Sequence, residues 1–441
     1  MFEPLYTAEE MRAGEAGHDV ETMMESAGRA VAHAVLRRYP QARRIAAVCG
    51  KGANGGDGRI ALRVLAEAGR ETTEDLDSSA EVDVVIDALF GTGFRGAPRA
   101  EAAAQIERMN AARAPIVAVD LPSGVDANTG EIAGAAVEAD ATVTMHGRKV
   151  GLVVAPGRFY AGDVEVADIG LEPAETEHRL VTEEILEQVP RKRERDTKYS
   201  AGAVLVIGGS PGMTGAVSLA AEAAFRADAG YVAVATHEAA LPVVELRLLE
   251  AVKAPLARIG ELAKRSSAIA IGPGLGRGDD ERSLVRSVLS ERELPAVVDA
   301  DALFELEPTD WPAPRVLTPH AGELGRLLGE DASWVDAHRL EAVGRAADAY
   351  GCVVLLKGAD TLIAAPGEGV LVCETGRPSL ATAGTGDVLT GVIAAFLAKG
   401  MEARLAAAAG AVAHGRAAAL VPRQRGLVAS DVVASLPRAL G

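Results

Sequence analysis

"RIAAVCGKGANGGDGRIALRVLAEAG", residues 44–69, decides the fold class. A short apolar run enters a loop holding Gly50, Gly52, Gly55, Gly56 and Gly58, and the loop opens into an Ala- and Leu-rich segment with helical periodicity. A strand, a tight glycine turn and a helix in that order make a βα unit, the building block of a parallel sheet. In such turns backbone amides approach a phosphate or a dinucleotide. The spacing is not a regular G-x-G-x-x-G, so taken alone the stretch fits either a nucleotide-type ligand or a merely tight turn. Asn54 and Asp57 are the distinctive feature, because they put an amide oxygen and a carboxylate where a plain turn needs neither.

Outward from this unit the pattern recurs in "VDVVIDALFG" (82–91) and "APIVAVDLPSG" (114–124). It restarts in "GAVLVIGG" (202–209), "SAIAIGPG" (267–274), "PAVVDAD" (295–301), "PRVLTPH" (314–320) and "GCVVLLKG" (351–358). Apolar runs ending in Gly/Asp loops and alternating with Ala-rich helices predict an α/β protein with two domains, as expected for a 441-residue chain that exceeds one hydrophobic core. A charged, weakly apolar stretch (171–202) separates the series, and a junction near residues 172–180 gives domains 1–175 and 176–441. Acidic residues flank the basic cluster Arg191–Arg195 on both sides, so it reads as a solvated connector.

A net charge of −17 argues against a broad nucleic-acid or anionic-membrane surface. Anionic small ligands must then bind through local backbone donors. Cys49, Cys352 and Cys373 match no metal spacing and leave an odd count, which suits a reducing cytoplasm. No stretch reaches the roughly 18 apolar residues of a membrane helix, and the first residues lack the order of a signal peptide. The apolar, Ala-rich helices lead us to expect a homo-oligomer.

In the first half, Asp87 and Asp120 end strands at the edge where open parallel sheets bind ligands. With Asn54 and Ser123 they offer hard oxygens without His or Cys, a set suited to an alkali or alkaline-earth cation. Singly, each aspartate also reads as a loop cap. In the second half, "ATAGTGDVLTG" (381–391) opens a helix with small residues, the usual way to hold a phosphate on backbone N–H groups. Asp387 beside that turn should repel the phosphate, unless its carboxylate faces an acceptor and takes the proton of a hydroxyl that attacks a nucleotide phosphate resting on Gly384, Thr385 and Gly386. His320 reads either as a helix cap or as a catalytic group, Lys357 as a surface charge or a phosphate ligand, and Asp299 and Asp301 as loop caps or part of the same edge.

Six ordered blocks of the first half, among them "GKGANGGDG", "DALFGTGFRG" and "VDLPSGVDANTG", resemble the NAD(P)H-hydrate epimerase domain over residues 5–172. The resemblance implies a Rossmann-like three-layer sandwich in which Ala53, Asn54, Gly55, Gly56 and Asp57 contact the hydrated cofactor. Asp120 would act at its ring, and Asn54, Asp87 and Ser123 would hold K+. Two departures stand out: Ala53 replaces the family's Asn, and only a dozen residues separate Gly69 from Val82, where the family has a further strand and helix.

The blocks "GPGLG", "DADAL", "LTPH", "LKG" and "ATAGTGDVL" resemble the ADP/ATP-dependent NAD(P)H-hydrate dehydratase domain, a ribokinase-like α/β fold, over residues 181–438. The resemblance assigns Ala216, Gly274, His320 and Asp387 to the hydrated cofactor. It assigns Lys357, Gly358, Ala359, Asp360 and Thr361, together with Gly384, Thr385 and Gly386, to ADP or ATP with Mg2+. Phe304 in "DADALF" departs from the family pattern. Jointly the two halves imply a repair enzyme for hydrated NADH and NADPH. Two rivals remain open on the residues alone: a small-alcohol kinase of the ribokinase type, and a nucleotide-sensing scaffold.

Overall fold

The computed structural model describes residues 1–76 and 81–441. The chain divides into two compact units, one of Pro4–Arg179 with Asp336–Arg339, the other of Met1–Glu3, Leu180–Val335 and Leu340–Gly441. The expected junction lies at 175/176, and the units divide at Arg179/Leu180.

Strand β1 (Phe2–Leu5) belongs to the sheet of the larger unit. The smaller unit contains β2 (Arg44–Cys49), β3 (Glu71–Thr73), β4 (Val84–Ala88), β5 (Ile116–Val119), β6 (Ala141–Met145) and β7 (Asp163–Ala167). They form one sheet in the order β3-β2-β4-β5-β6-β7, and every pairing is parallel. Side chains alternate faces along a strand. Ile45, Ile86 and Val117 accordingly join the helices Val20–Arg38 and Ala53–Glu67 in one core. Val48, Val85 and Ile116 turn the other way and pack on Ile106 and Met109 of the helix Ala100–Asn110. Two helical layers over one sheet give the three-layer sandwich. The shortened segment after Gly69 keeps a strand, β3, whereas residues 77–80 of that segment lie outside the described residues.

The larger unit adds β8 (His178–Val181), β9 (Ala203–Ile207), β10 (Tyr231–Thr236), β11 (Val252–Pro255), β12 (Ala268–Ile271), β13 (Ala296–Val298), β14 (Arg315–Leu317), β15 (Val353–Leu356), β16 (Thr361–Ala364) and β17 (Leu371–Cys373). The sheet order is β1-β8-β17-β16-β15-β14-β13-β12-β9-β10-β11. From β11 to β15 all pairings are parallel, so the loops after β9, β12, β13, β14 and β15 share one edge. The sequence predicts a parallel sheet throughout, but β15–β16 and β16–β17 are antiparallel. Only Lys357–Asp360 join β15 to β16, too short a link for the crossover that a parallel pair needs. The helix Thr385–Ala398 is apolar on nearly every side and buried under the helix Thr214–Arg226. Gly391 makes that crossing possible, because a Cβ there would stand 2.1 Å from the Ala220 carbonyl oxygen.

Candidate functional sites

In the smaller unit, the Gly50–Gly52 turn lets the helix Ala53–Glu67 start close to the end of β2; a Cβ at Gly55 would lie 2.0 Å from the Gly50 oxygen. The sequence reading places Ala53–Asp57 in a loop, whereas these residues form the first turns of the helix. Ala53, Asn54 and Asp57 line a cavity of about 970 Å³, together with Glu15, Asp120 and the stacked rings of Phe90 and Phe94. The loop after β4, from Leu89 to Arg99, contributes much of this wall and was not assigned a role from sequence.

Asp120 follows β5 with φ +68, a conformation costly for a non-glycine residue, and the Leu121 N–H closes the tight turn onto the Val119 oxygen. Backbone strain of this kind persists where the surroundings impose it. Here the surroundings are Lys149, whose ammonium is fully buried and donates to Asp120 Oδ1 at 2.5 Å, to Thr144 Oγ1 at 3.0 Å and to the Met145 oxygen at 2.7 Å. The sequence reading does not single out Lys149, which shares with Arg148 the basic pair before the apolar run "VGLVV".

Asn54, Asp87 and Ser123 meet around the backbone of Phe90. Asn54 Nδ2 donates to the Phe90 oxygen at 2.7 Å, and the Phe90 N–H donates to Ser123 Oγ at 2.8 Å. The Ser123 hydroxyl in turn donates to Asp87 Oδ1 at 2.6 Å. Asp87 lies within β4 rather than after it and is fully buried. Burial pushes its pKa up to about 6, against the Ser123 hydroxyl and the Ser123 and Leu89 amides, which lower it. A buried carboxyl beside amide, hydroxyl and carbonyl oxygens is a donor set that fits a monovalent cation.

In the larger unit, the shared sheet edge collects the other set. Lys357 directly follows β15, and its ammonium donates to Asp299 Oδ1 at 2.8 Å, with Glu323 Oε2 at 3.9 Å. Thr390 Oγ1 donates to the second Asp299 oxygen at 2.7 Å. Burial works against the Lys357 charge, yet Asp299 foremost, then Glu323 and Asp387, raise its pKa above the ordinary lysine value. The turn lies against this ammonium: a Cβ at Gly386 would sit 3.5 Å from Lys357 Nζ. Gly384, with φ +91, caps the helix Thr385–Ala398.

Thr385 serves the turn itself. Its hydroxyl donates to the Leu380 and Thr382 oxygens, both at 2.8 Å, and its N–H points at Thr382 at 3.4 Å. That leaves the first-turn N–H groups of Gly386 and Asp387 as the ones without an intrahelical acceptor. Among the described residues none hydrogen-bonds the Asp387 carboxylate. Burial first, then Asp299, push its pKa up to about 7; Lys357 opposes the shift, while Asp301 and Glu323 add to it. His414, buried below the turn against the Thr385 backbone, is pushed down to about 4 by burial and stays neutral.

His320 caps its helix, Nδ1 accepting from the Gly322 N–H at 3.0 Å and the Glu323 N–H at 3.3 Å. Gly274, at φ +61, faces Ala216: a Cβ on the glycine would lie 3.2 Å from the alanine Cβ. Gly358 and Ala359 are exposed at the tip of the β15–β16 hairpin, Asp360 is buried, and Thr361 begins β16. Asp299 is the residue that sequence reasoning left unassigned here.

Residues 204–438 match the family described as NAD(P)H-hydrate dehydratase, and residues 20–74 and 68–151 match that described as YjeF-related protein N-terminus. A bifunctional NAD(P)H-hydrate repair enzyme of Moorella thermoacetica is 38% identical over 95% of this chain and 92% of its own. That of Escherichia coli is 34% identical over 98% and 93%. Among solved structures, the Bacillus subtilis ADP/ATP-dependent NAD(P)H-hydrate dehydratase, co-crystallised with ATP/Mg2+, is 31% identical with a TM-score of 0.55, covering 58% of this chain and 96% of that one. Among the described residues no helix is long and apolar enough to cross a membrane.

Proposed function

The chain belongs to the family of bifunctional NAD(P)H-hydrate repair enzymes, and we propose that it returns hydrated NADH and NADPH to the dihydronicotinamide form in two steps. The smaller unit interconverts the two epimers of the hydrate. The larger unit phosphorylates the ring hydroxyl of the S hydrate from ADP, or ATP, after which phosphate leaves. With ADP the products are NAD(P)H, AMP and phosphate.

The observation that carries this reading is the unpartnered Asp387 carboxylate, set beside a lysine that Asp299 already holds. Phosphoryl transfer asks the protein for alignment, charge stabilisation and a base for the attacking hydroxyl. Lys357 and the first-turn N–H groups of Gly386 and Asp387 supply the first two, and a base titrating near neutrality supplies the third. Gly274, Ala216 and His320 border the acceptor side; the Lys357–Thr361 hairpin borders the nucleotide. Mg2+ accompanies the nucleotide and adds positive charge at its phosphates. In the smaller unit Asn54, Asp87 and Ser123 would hold K+, whose charge there favours the ionised form of the buried Asp87. The protein is expected to work in the cytoplasm as a homo-oligomer.

The test is to incubate the protein with both hydrate epimers and ADP and follow the absorbance of restored dihydronicotinamide. Full conversion, faster than spontaneous interconversion of the epimers, is expected. Conversion that halts at the S fraction would remove the epimerase from the reading, and none at all would overturn it.

A further inference from the structure

A hydrate of a dihydronicotinamide forms by adding water across an enamine, which puts the hydroxyl on the carbon bonded to nitrogen. Its epimers differ at that carbon. Interconversion therefore breaks the C–O bond with help from the nitrogen lone pair and re-forms it on the other face. The departing hydroxyl needs a proton, and the incoming water must lose one.

We propose that Asp57 and Asp120 work as a pair across this carbon, Asp57 giving the proton to the leaving hydroxyl and Asp120 taking the proton of the water that adds opposite. The proposal rests on reading the smaller unit as a hydrate epimerase. As C–O breaks, the nitrogen lone pair forms a C=N bond and water departs with the Asp57 proton. As the second water adds, its oxygen makes the new C–O bond, the C=N pair returns to nitrogen and its proton passes to Asp120. The ring keeps its composition, and one proton has moved from Asp57 to Asp120; it returns through solvent before the next turnover in the same direction. The reverse reaction exchanges the two roles.

Both carboxyls line the same cavity. Asp120 is fixed by its left-handed backbone and by Lys149. Asp57 has no structural employment: it is 8% exposed, and its Oδ1 is buried with no hydrogen-bond partner among the described residues. It sits past the first turn of its helix, which begins at Ala53, too deep to cap it. A buried, unpartnered carboxyl costs stability, so packing does not account for it. The charged groups facing it are Asp120 after β5, with Lys149 behind, and Glu15 of the helix Ala8–Glu15. Burial first, then Asp120 and Glu15, push the Asp57 pKa up to about 7. Burial, with Asp120 next, likewise raises Glu15. Two acids in one cavity, one bound to an ammonium and the other able to hold a proton near neutral pH, are the arrangement that separates acid from base.

The experiment uses the full chain, ADP and mixed epimers. The fast phase of product formation reads the dehydratase acting on the S hydrate, and the slow phase reads epimerisation of the remainder. Asp57→Asn is expected to slow the second phase by about 10²- to 10⁴-fold, leaving the first unchanged. Because either direction needs one proton on the pair, the wild-type second phase should fall as pH rises above about 7. A second phase unchanged in Asp57→Asn overturns the proposal and leaves the epimerase reading intact. A wild-type second phase that is flat from about pH 6 to about pH 9 does the same, without relying on the variant's folding. A wild-type second phase no faster than spontaneous interconversion overturns the epimerase reading and the proposal with it.

Discussion

Each unit brings a carboxylate and a lysine to the C-terminal edge of its parallel strands, and the two units differ in which acid holds the lysine. In the smaller, Lys149 is bonded directly to Asp120 at 2.5 Å. In the larger, Asp299 takes Lys357 at 2.8 Å, and Asp387 is left unpartnered with a pKa pushed up to about 7 by burial and by Asp299. A lysine that binds an acid fixes the place of its carboxylate. A lysine bound by a second acid leaves the first able to carry a proton near neutral pH. In the smaller unit the acid left over is Asp57.

The contrast breaks most sharply at Asp387. Asp387→Asn is expected to cut dehydration by about 10²- to 10⁴-fold with nucleotide affinity, measured by titration calorimetry, nearly unchanged. Wild-type turnover in that variant would falsify the assignment of the base. As a base the group must be ionised, so the dehydratase rate should fall as pH drops below about 7.

Lys149→Met strands Asp120 without its cation. Removing one partner of a buried pair costs about 3–5 kcal/mol, which denaturant unfolding of the smaller unit would register. Combining it with Asp120→Asn should regain much of that loss while epimerisation stays absent; strict additivity of the two changes would mean that the pair is not coupled.

Asp299→Asn sharpens the comparison by removing a negative neighbour and freeing Lys357 to approach Asp387. Both effects favour the ionised base, so the acid limb of the dehydratase profile should move down by about 1–3 pH units. An unmoved limb would show that Asp299 does not set the protonation of Asp387. The smallest change is expected for His320→Ala, where loss of the helix cap costs about 1 kcal/mol in thermal unfolding. A rise in KM for the hydrate beyond that loss would add substrate contact to the capping role, and His320→Asn, which keeps a cap, should then repair stability but not KM.

The architecture was legible because most apolar runs end in Gly or Asp before a helical stretch, a local signal. The same locality explains what was hidden. Lys149 reaches Asp120 over 29 residues, Lys357 reaches Asp299 over 58, and Thr390 reaches Asp299 over 91. Which acid claims which lysine is settled only when the strands stand side by side. Asp387 could be singled out because its turn and its carboxylate are neighbours in sequence, whereas Asp57 was grouped with a substrate-contacting loop and its isolation emerged only once the helix was seen to begin at Ala53. The antiparallel β16 and β17 were missed although the shortness of Lys357–Asp360 announces a hairpin.

Strand β1 gives the larger sheet its outermost member beside β8, yet it is synthesised long before β8 exists. During translation those first residues wait while the smaller unit emerges. A polypeptide begun just ahead of β8 would lack β1 and leave the β8 border bare, open to pairing with other chains. Adding back a peptide of the opening residues should restore solubility to such a fragment, so the gene cannot be divided cleanly where the chain appears to change units.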